Sequence, residues 1–343
     1  MSELEAFLSL SPYVYFLICL ALLFDFLNGM NDSANSIATV VSTRVLKPGQ
    51  AVALAAFFNF VAAFGIPLAV AKTIGTGIIN PSISTPALVF CALIGGIIWT
   101  WTATHWGLPI AVSHALVGGL IGAGIAAAGT GIVQSGIWKI VLFMVLSPLL
   151  GLTIGFFFMI GVLWLIRKKS QSKVDGWFKR LQLISASAFS FSHGANDAQK
   201  TMGIVFFLLI GAGYFTAAGV SAGHEFVPIW VILSAHAAIA LGTLFGGWGV
   251  IKTLGTKVAH LRPVHGFCAE TSAAGTIIGC SLAGIPVSTT HTITGSIIGV
   301  GSAKRASAVR WGVTRTIVWA WLLTIPISAA IGFVSYSIIH FFL

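Results

Sequence analysis

Long apolar runs dominate this chain, and short polar or basic stretches separate them. A helix that spans a bilayer needs about 20 mostly apolar residues. Ten runs of that kind lie at about 11–43, 48–71, 83–104, 109–128, 137–166, 181–211, 226–250, 264–282, 285–301 and 308–340. We therefore expect an all-α integral membrane protein, a bundle of about 10–12 membrane segments. Several runs are long and contain Pro or Gly, so broken or re-entrant helices are expected among them.

Composition supports this prediction, since 57% of the residues are hydrophobic and only 8% are charged. The net charge of +10 does not indicate a nucleic-acid partner, because the basic residues are concentrated in loops on one side of the predicted membrane. The largest group is the basic run at 167–180. By the positive-inside rule we expect this run to be a cytoplasmic linker and both termini to lie outside the cytoplasm. The expected location of the protein is the inner membrane.

The chain contains an internal duplication. "DFLNGMNDSANSIATVV" from Asp25 resembles "SFSHGANDAQKTMGIVF" from Ser190, "AKTIGTGI" matches "IKTLGTKV", and "GLPIAVSHALVGGLIG" matches "GIPVSTTHTITGSIIG". The offsets between matching residues are similar: 165 for Asp32 and Asp197, 180 for Lys72 and Lys252, 177 for His114 and His291. Five segments separate the two starts, so the halves 1–166 and 181–343 should be inverted repeats, the architecture of many secondary transporters.

A polar stripe follows the first copy of the acidic motif at helical spacing. Its members are Asp25, Asn28, Asn31, Asp32, Asn35 and Thr39, and the second copy has Ser190, His193, Asn196, Asp197 and Lys200. Amides alone could serve as hydrogen-bonding contacts between helices. Ionised carboxylates at bilayer depth cost several kcal/mol or so and normally face a cavity, an ion or a partner. We therefore expect cation coupling at Asp32 and Asp197, with Lys200 as an alternative partner for one acid. Gly29 and Gly194 would allow a helix break or a close backbone approach.

The second duplicated motif favours binding of an anion. In "GIPVSTTH", Gly284 can end one helix and Pro286 can begin the next, with Ser288, Thr289 and Thr290 following. Free backbone amides and the helix dipole make such a start favourable for an anion. The alternative is simple capping between two connected helices. Glu270 lies in an apolar stretch and has no acidic counterpart in the other half. It is open to two interpretations, cation coupling or structural pairing.

Together these motifs resemble the inorganic phosphate transporter (PiT) family of cation-coupled phosphate permeases. The resemblance rests on "NGMNDSANSIATVVSTRVL", "HGANDAQKTMGIV", "GLPIAVSHALVGG", "AETSAAGTIIG" and "GIPVSTTHTITGSIIGVG". It implies a bundle of inverted repeats with broken helices around a central phosphate. It assigns phosphate binding to Ser113, Gln199, Ser288, Thr289 and Thr290. It assigns the coupling cation, sodium for example, to Asn31, Asp32, Asn196 and Asp197. The residues themselves add Asn28 and Asn35 of the stripe, and the separate buried acid Glu270, as candidates for cation coupling. Where members of the family usually have a serine run, this chain has Ile110, Ala111 and Val112 before Ser113.

The resulting hypothesis is a transporter that imports phosphate by symport with sodium or a proton, not an enzyme. No ATP-binding loop of the G-x-x-x-x-G-K-[ST] type is present in the sequence, so an ion gradient should supply the energy. The expected partners are phosphate, the cation and the bilayer, with no cofactor, and a homo-oligomer is left open. The alternatives are a transporter of another tetrahedral oxyanion such as sulfate, an intramembrane aspartyl protease with two facing aspartates, and a passive channel.

Overall fold

The computed structural model describes residues 3–65, 67–78, 84–132, 136–220, 226–258, 261–303 and 305–342. Across these ranges the chain folds as a bundle of α-helices, which confirms the predicted all-α class. The helices are α1 (Glu3–Leu8), α2 (Pro12–Ser42), α3 (Pro48–Val61), α4 (Ala69–Gly77), α5 (Pro86–His105), α6 (Val112–Ala128), α7 (Gly136–Ile166), α8 (Gln171–Gly211), α9 (Tyr214–Ala217), α10 (Ile229–Phe245), α11 (Trp248–Lys257), α12 (Pro263–Leu282), α13 (Thr289–Ser302) and α14 (Trp311–Phe342).

Proline and a capping residue mark the start of several helices. Helices α2, α3, α5 and α12 each have proline in the first turn, where its missing N–H and fixed φ are favourable. The hydroxyl of Ser11 accepts a hydrogen bond from the amide of Val14 at the start of α2, at 3.4 Å. Thr85 caps α5 in the same way through the amide of Leu88, at 3.2 Å. These local signals fix where the apolar runs become helical.

Within the part of the chain that the structure describes, four helices are long and apolar enough to cross a membrane: α2, α5, most of α7, and α14. Two more apolar runs are bent pairs. The segment from α3 to Phe64 meets α4 at 84°, and α10 meets α11 at 76°. The two pairs contain the matching "AKTIGTGI" and "IKTLGTKV" motifs in their second arms. The runs at 48–71 and 226–250, marked as single segments in the sequence, are therefore broken helices.

The helices of the two halves correspond in order and in contacts. Helix α2 matches α8, the pair α3 and α4 matches α10 and α11, α5 and α6 match α12 and α13, and α7 matches α14. Equivalent contacts cross between the halves: α6 packs on α14 and α13 on α7, while α10 packs on α2 and α3 on α8. Helix α8 begins at Gln171, so most of the predicted linker at 167–180 forms its first turns.

Two apolar clusters contain most of the buried hydrophobic side chains of the described residues, and α2 and α8 pass through them in opposite order. Helix α2 begins in the first cluster, at Leu17, and ends in the second, at Ile37. Helix α8 does the reverse, with Phe189 in the second cluster and Leu208 in the first. The two helices therefore run in opposite directions between the clusters. Their polar motifs lie between the two clusters.

Glycines on α2 and α8 allow close backbone contact instead of a helix break. A methyl group on Gly29 would overlap the carbonyl of Ile239 on α10, and one on Gly242 of α10 would overlap the carbonyl of Phe26. Gly194, the counterpart of Gly29, lies in the same way against the backbone of Asn59 on α3. Both helices continue without interruption through these positions. Of the two alternatives expected for these glycines, close approach is the one observed.

Replacing Gly29 or Gly194 with alanine should push these helices apart. We expect each variant to lose about 1–3 kcal/mol of stability, since overpacking has that typical effect. The measurement is the thermal unfolding midpoint of the detergent-solubilised protein. Gly161→Ala on α7 is the matched control, because a Cβ there meets nothing within 4 Å. An unchanged midpoint for Gly29→Ala would show that the α2–α10 crossing does not depend on the missing side chain.

Candidate functional site

Two carboxylates from the opposing helices α2 and α8 share one hydroxyl at the centre of the bundle. Asp32 and Asp197 are each only 1% exposed. The Oγ1 atom of Thr289, at the start of α13, lies 3.3 Å from Oδ2 of Asp32 and 3.1 Å from Oδ2 of Asp197. A hydroxyl has one proton to donate, so it cannot satisfy both oxygens. At least one of the two buried carboxylate oxygens is therefore left without a proton from Thr289.

His193 faces the same two carboxylates. Its Nε2 atom lies 3.5 Å from Oδ2 of both Asp32 and Asp197. Its Nδ1 atom lies 3.1 Å from Oδ1 of Asn59 on α3. Asn59 donates through Nδ2 to the hydroxyl of Thr243 at 2.9 Å, and that hydroxyl donates to the carbonyl of Ile239.

This chain of hydrogen bonds assigns the imidazole tautomer of His193. Because Nδ2 of Asn59 is the donor to Thr243, its Oδ1 is an acceptor, and Nδ1 of His193 must carry a proton. A neutral ring would then direct the lone pair of Nε2 at two carboxylate oxygens. That contact is repulsive unless a proton, on Nε2 or on one of the two carboxyl groups, or a cation lies between them. One ligand atom from each of Asp32, His193 and Asp197 lies within 4.8 Å of the others, close enough to hold an ion.

Thr290 links the first-half carboxylate to the start of α6. Its Oγ1 lies 3.1 Å from Oδ1 of Asp32 and 3.0 Å from the carbonyl of Ile110. Asn35 donates to the same hydroxyl from Nδ2 at 2.9 Å. Thr289 and Thr290, predicted for phosphate, and Asp32, Asn35 and Asp197, predicted for the cation, therefore form one hydrogen-bonded group.

Lys200 pairs with the second-half carboxylate, which was the alternative expected for one of the acids. Its Nζ donates to Oδ1 of Asp197 at 2.6 Å and to the carbonyl of Val287 at 2.7 Å. The side chain is 2% exposed. A buried ammonium needs such compensation, because desolvation of an unpaired charge is strongly unfavourable.

The paired asparagines Asn31 and Asn196 make equivalent contacts on the two sides of the site. Nδ2 of Asn31 donates to the hydroxyl of Thr104 on α5, and Nδ2 of Asn196 donates to that of Ser281 on α12, each at 2.7 Å. Within the described part of the chain, neither buried Oδ1 has a hydrogen-bond partner. Buried amide oxygens without partners are suitable ligands for a hard cation such as sodium.

The two helical hairpins turn in the same way toward this site. Gly107 and Gly284 both have φ of +67°, and each follows its helix in a Schellman arrangement. The hydroxyl of Ser288 accepts from the amide of His291, so it caps α13. Pro286 lies before this cap, which corrects the expectation that proline begins the helix. Capping is thus present at α13, and the hydroxyls of Thr289 and Thr290 remain directed at the carboxylates.

Ser113 lies in the first turn of α6, at the place that Thr290 has in α13. The contact between Thr290 and Ile110 joins the starts of these two helices. The residues before Ser113 are apolar, and Ile110, Ala111 and Val112 are buried. The first-half helix start therefore offers fewer hydroxyls than the second.

Gln199 has a different contact from the one predicted. Its Oε1 accepts from the amides of Val70 and Ala71 at 3.0 and 3.2 Å, and so caps the start of α4. Its Nε2 donates to the carbonyls of Pro67 and Ala195. The amide is fully engaged with backbone groups, so in this arrangement it holds the broken first-half helix against α8.

Two other predicted residues lie apart from the shared hydroxyl. Asn28 donates from Nδ2 to Asp25 at 3.4 Å, one turn before Asn31. Glu270 accepts from Thr39 at 2.5 Å, from Gln182 at 2.9 Å and from Ser185 at 2.5 Å. Thr39 is seven residues beyond Asp32, roughly 10 Å along the helix. Three donors satisfy Glu270 there, an arrangement typical of structural pairing.

His193 and Asn59 complete the site, and the sequence did not assign either of them to it. His193 belongs to the polar stripe, at the position that Asn28 has in the first copy, and this placement could have indicated that it faces the site. Asn59 is a single amide in an apolar run, and only the packing of α3 against α8 brings it to the histidine.

Comparisons with known proteins agree with this architecture. The chain matches the phosphate transporter family over residues 28–332. A probable low-affinity inorganic phosphate transporter of Rhizobium meliloti (strain 1021) is 51% identical over 327 residues, covering 95% of this chain and 96% of the relative. A protein of the same description from Bacillus subtilis (strain 168) is 40% identical over 330 residues, covering 95% of this chain and 97% of the relative.

A solved structure has the same fold. It is described as the sodium-dependent phosphate transporter, and its TM-score to this chain is 0.86 at 29% sequence identity. The similarity covers 97% of this chain and all of the other. The fold similarity thus extends over both halves and the site between them.

Glu270→Gln tests whether this carboxylate is structural. The variant places an NH₂ group among three donors, so we expect a loss of about 1–3 kcal/mol in stability with little effect on ligand binding. The measurement is the thermal unfolding midpoint, with the exposed Glu3→Gln as the control. An unchanged midpoint combined with loss of transport would instead place Glu270 in the coupling machinery.

Proposed function

The chain belongs to the phosphate transporter family, and on that premise we propose that it imports inorganic phosphate by symport with a cation through alternating access. It is a multi-pass membrane protein and a transporter, not an enzyme. Membership of this family also disfavours the alternative of an intramembrane aspartyl protease.

One observation carries the proposal: the hydroxyl of Thr289 lies between the carboxylates of Asp32 and Asp197 at the start of a helix. A phosphate anion at this helix start would meet favourable backbone amides and two unfavourable carboxylates. A cation between the carboxylates removes that repulsion and frees the hydroxyl to donate to phosphate. The anion and the cation therefore bind together more favourably than either binds alone, which is the condition for coupling.

The proposed cation ligands are Asp32 and Asp197, with the unpartnered oxygens of Asn31 and Asn196. The tautomer of His193 supports this assignment, because its Nε2 needs positive charge between itself and the carboxylates. Sodium and a proton would both supply that charge. The neighbouring solved structure, described as sodium-dependent, favours sodium.

The proposed phosphate ligands are the starts of α13 and α6. Thr289 and Thr290 would donate hydroxyl protons, and Ser113 would do so from the first-half helix. Ser288 would shape the helix start through its cap. Gln199 would act through the position of α4, since it caps that helix.

Alternating access would follow from relative movement of the two halves about this shared site. The site draws its carboxylates from both halves, so ligand binding would join them. The basic residues at 167–180 support a cytoplasmic position for the start of α8, with both termini outside the cytoplasm and the protein in the inner membrane.

Uptake of labelled phosphate into proteoliposomes tests this function. An inward sodium gradient and an inward proton gradient are compared, with unlabelled phosphate or sulfate as competitor. Accumulation against the phosphate gradient under one of them supports symport and identifies the cation. Passive equilibration would indicate a channel, and stronger competition by sulfate than by phosphate would assign a different oxyanion.

Asp32→Asn should abolish concentrative uptake. The variant keeps the size and hydrogen-bonding ability of the side chain but removes a charge that the cation requires, so we expect at least about a 10-fold loss in initial rate. Initial uptake rates at equal protein density are the measurement. Asp175→Asn, which alters a partly exposed ion pair with Arg262, should retain uptake. Normal accumulation by Asp32→Asn would remove this carboxylate from the mechanism.

Thr289→Val combined with Thr290→Val should weaken phosphate binding. Loss of two hydroxyl donors is expected to lower phosphate affinity roughly 10- to 100-fold, with a smaller effect on cation binding measured without phosphate. Isothermal titration calorimetry provides both affinities. Thr292→Val is the matched control, since its hydroxyl donates to the carbonyl of Ser288 at 2.8 Å within the same helix. Unchanged phosphate affinity in the double variant would exclude these hydroxyls as ligands.

A further inference from the structure

Lys200 holds a positive charge at a defined position inside the bundle. Its Nζ bridges Oδ1 of Asp197 and the carbonyl of Val287, at 2.6 and 2.7 Å. These are two oxygen ligands of the kind that a bound sodium ion would take. The ammonium group thus occupies a place between a carboxylate and a backbone carbonyl that suits a free cation.

The duplication supplies an equivalent place in the first half. Asp32 corresponds to Asp197 by the offset of 165, and Ile110 corresponds to Val287 by the offset of 177. Ile110 and Val287 each precede the N-cap of a hairpin helix. In both halves, therefore, a carboxylate faces the carbonyl before a helix start.

The groups that bridge these two equivalent pairs differ in charge. Between Asp32 and the carbonyl of Ile110 the bridge is the neutral hydroxyl of Thr290, which has one proton for two acceptors. Between Asp197 and the carbonyl of Val287 the bridge is the ammonium of Lys200, which has three protons. The residue at the position of Lys200 in the first copy is Asn35, a neutral amide that donates to Thr290 at 2.9 Å. The charge of one carboxylate is thus compensated by the chain itself, and that of the other is not.

We propose that Lys200 is a tethered cation that fills the second-half counterpart of the cation position. One free cation then binds per phosphate, on the side of Asp32, whose charge the chain leaves uncompensated. This inference rests on the proposed cation-coupled function and deepens it, because it fixes the number of coupling ions. Replacing Lys200 with the first-half residue, asparagine, should open the second position to a free cation.

The test is the dependence of phosphate affinity on cation concentration. Inorganic phosphate is titrated into the purified protein by calorimetry at constant ionic strength, over a series of concentrations of the cation identified in the uptake experiment. The slope of log affinity against log cation concentration, well below saturation, counts the cations taken up with phosphate. We expect a slope of about 1 for the wild type and about 2 for Lys200→Asn. Lys139→Asn, at an exposed position on α7, is the matched control and should keep the wild-type slope.

A wild-type slope near 2 would overturn the inference, since two free cations would then bind beside Lys200. An unchanged slope in a folded Lys200→Asn would also overturn it, because the vacated place would then take no ion. If Lys200→Asn fails to fold, the wild-type slope alone still decides the matter. A wild-type phosphate affinity that does not respond to the cation at all would instead contradict the proposed symport.

Discussion

Two carboxylates from different helices lie beside one hydroxyl deep in this bundle, and they cannot both stay charged there without compensation. Lys200 compensates one of them, and Nε2 of His193 faces both, so a proton or a cation between the imidazole and the acids would stabilise the group. Phosphate would add more negative charge at the same point. In the proposed mechanism a cation between the carboxylates offsets this negative charge.

The duplicated architecture explains how this site is assembled. Helices α2 and α8 run in opposite directions between the two apolar clusters, so their equivalent aspartates meet near the middle. The equivalent hairpins, turned by Gly107 and Gly284, bring two helix starts to the same place. Glycines at the crossings let α10 and α3 pack closely behind α2 and α8. Each half thus contributes one acid and one helix start.

Much of this could be predicted from the sequence because its signals are local or repeated. Apolar runs predicted the helices, similar offsets predicted the duplication, and helical spacing placed Asp32 and Asp197 on polar faces. What the sequence could not supply depends on contacts between distant helices. Gln199 caps a helix more than a hundred residues earlier, and Glu270 finds its three donors on α2 and α8. Pro286 was expected to begin a helix, but the hydroxyl of Ser288 caps α13, so the helix begins at Thr289.

Reciprocal binding linkage tests the central claim most directly. The affinity of the purified protein for phosphate is measured with and without saturating cation, and its affinity for the cation is measured with and without saturating phosphate. We expect phosphate and the cation to increase each other's affinity by the same factor, at least about 10-fold. Phosphate binding of equal affinity in the absence of sodium, at every pH tested, would contradict the claim that the buried carboxylates make anion binding depend on a cation.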